Sequence, residues 1–454
     1  MGSTVNNRQI SSSTSGILKI IVPLILSALS SNLLCLIDRA ILMHYSIDSM
    51  NAAMLGGNLA GFYTYVLISI AGTTEIFVGQ YNGAMKHDKI AAPIWQMIYF
   101  VGASLFFVIP MAWFSKYLNL IPKHYAEDGI AFQKILIYFC WLPALTAVFT
   151  GFFVGRGRTK IITLIVVVGS IVNVILDCML IFGCGDIIPS MGCRGAAWAT
   201  IIAEAVQVLI LAASFWSRSN RRIYNTAGNS KFDKKLFMEC LRVGCPMSLG
   251  RAAEILAWYL VYVALSHVSK ELGTVHGIAS TIYIFFAFVC EGLSKGTAAI
   301  TSNFIGRQDL ASIQKVFKRL ISITLVLCFA VMSPLLIIPE LVFEGLSAVN
   351  SDIAVFYPMM AAIFRILFVA ITLEALTSTC WGTLLAGGDT KYPIIVNLLC
   401  LGGFVVLPVG ILFATGKLNS AVLVQFLSMC WNAVCLILLY RRYKGLKWYR
   451  SFAF

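Results

Sequence analysis

Charge is scarce in this chain. Only 12% of its 454 residues are Asp, Glu, Lys or Arg, against about 25% in an ordinary soluble domain. Acids are the scarcer sign, 20 against 34 basic residues, which gives a formal net charge of +14. With 59% hydrophobic residues and a mean hydropathy of +0.85, a soluble globule of this size has too little polar surface to cover itself, so the bilayer is the expected solvent. In a polar protein the positive excess would point to nucleic acid. Here it is expected in cytoplasmic loops, and no nucleic-acid partner follows. The 13 cysteines form no Cys-x-x-Cys pair and no Cys/His metal spacing, so they read as small buried hydrophobes. Cys184 and Cys193, in the loop CGDIIPSMGC, are the one pair placed to bridge in an oxidising compartment. Walker A, Gly-x-Ser-x-Gly and His-Glu-x-x-His patterns are all missing, which argues against an enzyme. No cofactor is expected.

What the chain does have is long apolar runs. A spanning helix needs roughly 20 mostly apolar residues. Twelve stretches qualify: 16–43, 52–80, 93–115, 131–155, 161–183, 195–216, 240–268, 275–303, 316–338, 355–386, 393–414 and 419–440. The serine-rich N-terminus lacks a charged n-region and an Ala-x-Ala site, so the first run is expected to stay as a span. The longest polar stretch, SRSNRRIYNTAGNSKFDKK, falls mid-chain. The expected organisation is therefore a tail at 1–15, a six-helix bundle at 16–216, a linker at 217–239, a second bundle at 240–440 and a basic tail at 441–454. Counting Lys and Arg in these loops and in the first turn of the spans beside them puts 24 on the side of the tails and linker and 6 on the other; Arg39, Arg251, Lys295 and Arg365 lie deeper within spans. That split places both termini in the cytoplasm of a plasma-membrane protein.

The halves repeat. LPALTAVFTGFFVGRGRTK at 142–160 returns as LEALTSTCWGTLLAGGDTK at 373–391, and SIAGTTEIFVGQYNG at 69–83 aligns with GLSKGTAAITSNFIG at 292–306. Pro23 and Pro246 share the spacing of the second pair. Six helices return the chain to its starting side, so the halves run in the same direction about an axis along the membrane normal. Such halves are characteristic of secondary transporters that rock one bundle against the other. An internal two-fold repeat with asymmetric acids argues against a symmetric pore.

Several phrases carry a family resemblance. They are VPLILSALSSNLLCLIDRAIL in the first span, GTTEIFVGQYNGA where the second and third meet, IVNVILDCMLIFG then GCRGAAWATII in the fifth and sixth, and GTLLAGGDTK in the tenth. In order and spacing the sequence resembles the multidrug and toxic compound extrusion (MATE) transporters over nearly its whole length. The resemblance implies an all-α integral membrane protein of twelve helices in two pseudo-symmetric six-helix bundles. It also implies export of amphiphilic organic cations or drugs in exchange for Na⁺ or H⁺, by a chain expected to be a monomer in the lipid bilayer. The sequence departs from the family at Arg39, at GRGRTK in place of a first-half Gly-Asp-Thr, and at the charges Arg251, Lys295 and Arg365. The alternative they favour is a flippase for a lipid-linked or anionic amphiphile.

Seven carboxylates fall within the expected spans: Asp38, Glu75, Asp177, Glu204, Glu254, Glu291 and Glu374. Each costs about 2.5 kcal/mol or more at a helix centre, so each is a site candidate, the alternative being a snorkelling or paired structural residue. The repeat gives Asp38, Asp177, Glu254 and Glu374 no acidic counterpart: they fall opposite Val261, Pro408, Ser31 and Pro143. Asn173 and Asp177 are one turn apart on one helix face. With Asp38 and Thr200 they offer oxygens suited to a hard cation, or carboxyl groups that can take a proton. By resemblance, Asp38, Asn173, Asp177 and Thr200 match the family's N-lobe cation site, and Glu254 and Glu374 its C-lobe acids, for ion or substrate. Arg251, one turn before Glu254, is a possible structural partner for it. Gly56–Gly57 and Gly402–Gly403 are expected to permit close helix packing.

Overall fold

The computed structural model describes residues 10–115, 121, 125–185, 187–340, 343 and 357–452. Twelve helices among them are long and apolar enough to cross a membrane. They are α1 (Thr14–Tyr45), α2 (Ile47–Gly83), α3 (His87–Phe114), α4 (Ala126–Val154), α5 (Thr159–Phe182), α6 (Gly192–Phe215), α7 (Lys234–Val268), α8 (Glu271–Gly306), α9 (Leu310–Ile337), α10 (Tyr357–Ala386), α11 (Lys391–Ala414) and α12 (Ala421–Lys444). The start of the expected tenth span, 355–356, lies outside the described residues.

Local chemistry sets the ends. Ser13, Ser46, Asp233, Ser269, Asp309 and Ser420 each accept a hydrogen bond from a backbone N–H in the first turn they precede. Asp233 starts α7 six residues before the apolar run does, because its carboxylate takes the N–H groups of both Lys235 and Leu236. Ahead of α7 the linker holds one short helix, Arg218–Tyr224.

The repeated phrases have a packing reason. Gly151 of α4 lies so close to Thr74 of α2 that a Cβ there would stand 2.0 Å from its Oγ1. Its counterpart Gly382 of α10 meets Ser294 and Thr297 of α8 in the same way, with the Ser294 carbonyl oxygen 2.4 Å from such a Cβ. The echo in the sequence is thus a helix crossing used twice. Gly56 also packs closely, against the Gly129 carbonyl. Gly402 and Gly403 do not: among the described residues, no atom beyond their own stretch of helix lies within 4 Å of a Cβ at either. They open a π-helical turn, Gly402–Val406, just before Pro408, whose ring nitrogen cannot continue the hydrogen-bond ladder.

The two halves close on each other at the end that carries the tails and linker. There the two copies of the α2/α8 phrase meet: Asn82 Nδ2 donates to Asn303 Oδ1 at 2.7 Å, and Asn303 Nδ2 donates to the Gly155 carbonyl at 2.7 Å. Near mid-span Asn32 Nδ2 of α1 donates to the Ile284 carbonyl of α8 at 3.0 Å. Further α2 and α7 side chains at mid-span, Tyr65 and Arg251, remain half exposed where the halves face each other.

Candidate ion and substrate sites

The first-half site grows from the pairing of α1 with α5. Pro23 has no N–H for the Lys19 carbonyl, and Thr159 Oγ1 of α5 donates to that carbonyl instead, at 3.3 Å. Thr163 Oγ1 donates to the Pro23 carbonyl at 2.6 Å, Ser27 Oγ donates to Thr163 Oγ1 at 3.1 Å, and Ser30 and Ser170 hydroxyls meet at 3.1 Å. The near-constant separation along the chain marks a parallel pair in register. The next rungs of that ladder are Asp38, Asn173 and Asp177.

Asp38 and Asp177 stand within hydrogen-bonding reach of each other. With the Asn173 amide turned so that its nitrogen faces Asp38, it donates to Asp38 Oδ1 at 3.0 Å, and its oxygen accepts from the Thr200 backbone N–H at 3.1 Å. Asp177 is fully buried and Asn173 1% exposed. Among the described residues Asp177 Oδ1 has no hydrogen-bond partner. Two carboxylates this close repel unless a proton or a metal cation sits with them. Thr200 serves through its backbone; its hydroxyl donates to the Ala196 carbonyl at 3.0 Å. The four first-half candidates therefore come together from α1, α5 and α6.

Glu204 stands apart, accepting from Thr146 Oγ1 of α4 at 3.1 Å, a link between α4 and α6. Glu75 feels the charge of Lys295 from the other half.

The second-half acids gather at mid-span. Tyr283 Oη of α8 donates a short hydrogen bond to Glu374 Oε2 of α10. Arg251 Nη1 lies 3.4 Å from Glu254 Oε2, one turn on in α7. Arg251, Glu254 and Glu291 all lie within electrostatic reach of Glu374. The Arg251 guanidinium also faces the Tyr65 ring of α2, 5.8 Å from its centroid, so the cluster reaches across to the first half. Glu254 and Glu374 are thus brought together, but Glu254 shares its charge with Arg251. Sequence reasoning did not single out Tyr65; its only signal was an aromatic at the middle of a span. Arg365 is exposed on α10 and is absent from the charges that reach Glu374. Cys184 and Cys193 are free thiols rather than a bridge: Cys184 is exposed, while the buried Cys193 sulfur points at the Asp128 carbonyl.

The family model MatE matches residues 23–179 and, a second time, residues 246–412. The chain belongs to the MatE family. The double match reproduces the internal repeat, one copy per half. A probable multidrug resistance protein, YoeA of Bacillus subtilis, is 22% identical over 258 residues, 55% of each chain. A probable multidrug resistance protein NorM of Thermotoga maritima is 25% identical over 241 residues, 51% of each. The chain spans about half the length of these curated relatives. A crystal structure of a MATE protein in complex with MaL6 superposes with a TM-score of 0.86 at 18% identity, covering 98% of this chain and all of that one. This MatE protein therefore shares the family's fold from end to end.

Proposed function

We propose that this MatE protein exports amphiphilic organic cations or drugs in exchange for Na⁺ or H⁺, by rocking its two halves about the cleft between them. The observation that carries the reading is the Asp38–Asp177 pair. It is a carboxyl pair of which Asp177 is fully buried with an orphaned oxygen and Asp38 is partly exposed, braced by Asn173 and by the polar α1/α5 ladder. Such a pair changes its own charge when it takes or loses a cation, and packing between α1 and α5 follows that charge. Substrate has a separate place in the mid-span acids around Glu374. The relatives named for multidrug resistance support the substrate class. The basic residues on the tail side support an orientation with both termini in the cytoplasm.

Proteoliposomes holding the purified chain test this directly. A Na⁺ gradient and a pH gradient are imposed separately, and accumulation of a cationic dye is followed. One gradient is expected to drive the dye uphill. Dye movement that follows its own gradient only, under both conditions, would overturn exchange.

A further inference from the structure

The cleft between the halves carries a cation of its own. Arg251 stands at the middle of α7, where a charge facing lipid would be costly, and its side chain is 47% exposed. Its one ion pair is a single 3.4 Å contact with Glu254, whose side chain is 19% exposed. A guanidinium has five N–H donors, and a well-made carboxylate pair uses two of them at about 2.7–2.9 Å. This contact is long and monodentate. Among the described residues no protein acceptor holds the Arg251 Nε or Nη2 groups. Opposite stands the Tyr65 ring of the other half. On the same cleft wall Glu374 is anchored by Tyr283 through one oxygen only.

We propose that Arg251 and Glu374 together receive a zwitterionic amphiphile, the anionic group on the free edge of the Arg251 guanidinium and the cationic group on Glu374. A purely anionic ligand fits the cluster poorly, because Glu254, Glu291 and Glu374 set three carboxyls around the single guanidinium. A ligand with only a cation leaves the Arg251 donors unmet once the cleft closes and water leaves. A ligand with both charges answers both, and its aromatic body lies against Tyr65. Because Tyr65 belongs to the first half and Arg251 to the second, such a ligand touches both moving parts.

This inference rests on the export reading only in taking the cleft as the substrate's path. The test needs no gradient. The purified full chain in detergent is titrated with two dyes, a rhodamine bearing a free carboxylate and its methyl ester, and binding is read by fluorescence anisotropy. The two share a cationic ring system and differ only in the anionic group. The free acid is expected to bind about tenfold tighter than the ester, a difference of one well-placed charged hydrogen bond. Arg251→Gln should abolish that preference, Arg251→Lys should keep part of it, and Glu374→Gln should weaken both dyes alike. If Arg251→Gln lowers the melting temperature, the double variant Arg251→Gln/Glu254→Gln, which also removes the carboxylate that Arg251 pairs with, is read in its place. Equal binding of the two dyes by the native protein, a preference for the ester, or a ratio unchanged in Arg251→Gln would each overturn the proposal. Failure of both dyes to bind would overturn it along with the amphiphile reading. Loss of gradient-driven transport with the ratio intact would defeat only ion exchange.

Discussion

At the scale of single residues, the first half and the second solve different problems with carboxylates. Asp38 and Asp177 share one site, braced by Asn173, with Asp177 fully buried. Replacing either by Asn keeps the shape and hydrogen-bonding capacity but removes the group that changes charge. Asp38→Asn and Asp177→Asn are therefore expected to insert normally and melt within a few degrees of the parent, while gradient-driven uptake in proteoliposomes falls to the level of empty vesicles. Wild-type transport by either variant would remove that residue from the coupling site. Glu374 differs, since its partner is a phenol. Glu374→Gln still accepts from Tyr283, so stability should hold, and affinity for a cationic dye should fall about tenfold, as expected for losing a charged contact. A structural ion pair would behave in the opposite way, because breaking a buried pair costs about 3–5 kcal/mol. A large drop in melting temperature for Glu374→Gln would thus reassign the residue to folding. These acids were legible in the sequence because a charge inside an apolar run is conspicuous and because the repeat left them without counterparts. Tyr65 was not legible. An aromatic side chain is ordinary in any span, and its approach to Arg251 depends on how the two halves meet, which no local pattern encodes.

At the scale of elements, most of the fold was readable, because span length and apolarity are fixed by the bilayer and the loops by their polar punctuation. The misread parts have identifiable causes. The start of α7 was placed too late because hydropathy does not register the Asp233 cap. Gly402–Gly403 resembled the packing pair Gly56–Gly57 in composition, but their neighbour Pro408 demands a wider turn there instead. A cap also supplies a pH prediction. Asp309 accepts from the Ser312 backbone at the head of α9, outside the span, and hydrogen bonds from Ser312 hold its carboxyl below the ordinary value of 3.8. The ionised form is the bonded form. Its contribution is therefore complete above that ordinary value and disappears as pH falls through the lower, folded value. Asp309→Ala should cost about 1 kcal/mol at neutral pH. Asp309→Asn should keep most of the cap and make this contribution independent of pH. Melting curves of the three proteins between pH 7 and strongly acid conditions check both signs.

At the scale of the whole molecule, closure at the tail end depends on a few contacts that any rocking motion must break, and Gln80 is their hub. It is fully buried in α2 of the first half. Its Nε2 donates to the Ala386 carbonyl at the end of α10, at 2.7 Å, and to the Arg450 carbonyl at 3.2 Å; its Oε1 accepts from the Phe452 N–H at 2.6 Å. The C-terminal segment is itself held to the second half, with Trp448 buried against Gly387 and Arg442 paired with Asp389 at 2.7 Å. One glutamine thus fastens the first half to the second through both a span end and the tail. Each such hydrogen bond contributes about 1 kcal/mol net, so removing all three should weaken the closed arrangement by about 2–3 kcal/mol. That is enough to shift a two-state population about 30–150-fold. The readout is a thiol at Ser302, which is buried against Gly79 while the halves are closed. With the exposed Cys35, Cys178 and Cys184 changed to Ser, Ser302→Cys should react slowly with a polar maleimide. Adding Gln80→Ala should raise its rate by at least tenfold, and a cysteine in the linker should react at an unchanged rate. If Ser302→Cys stays equally protected, the tail contacts are packing alone, and closure is held by the crossing of α2 and α8, where a Cβ at Gly83 would lie only 2.0 Å from the Asn303 carbonyl oxygen.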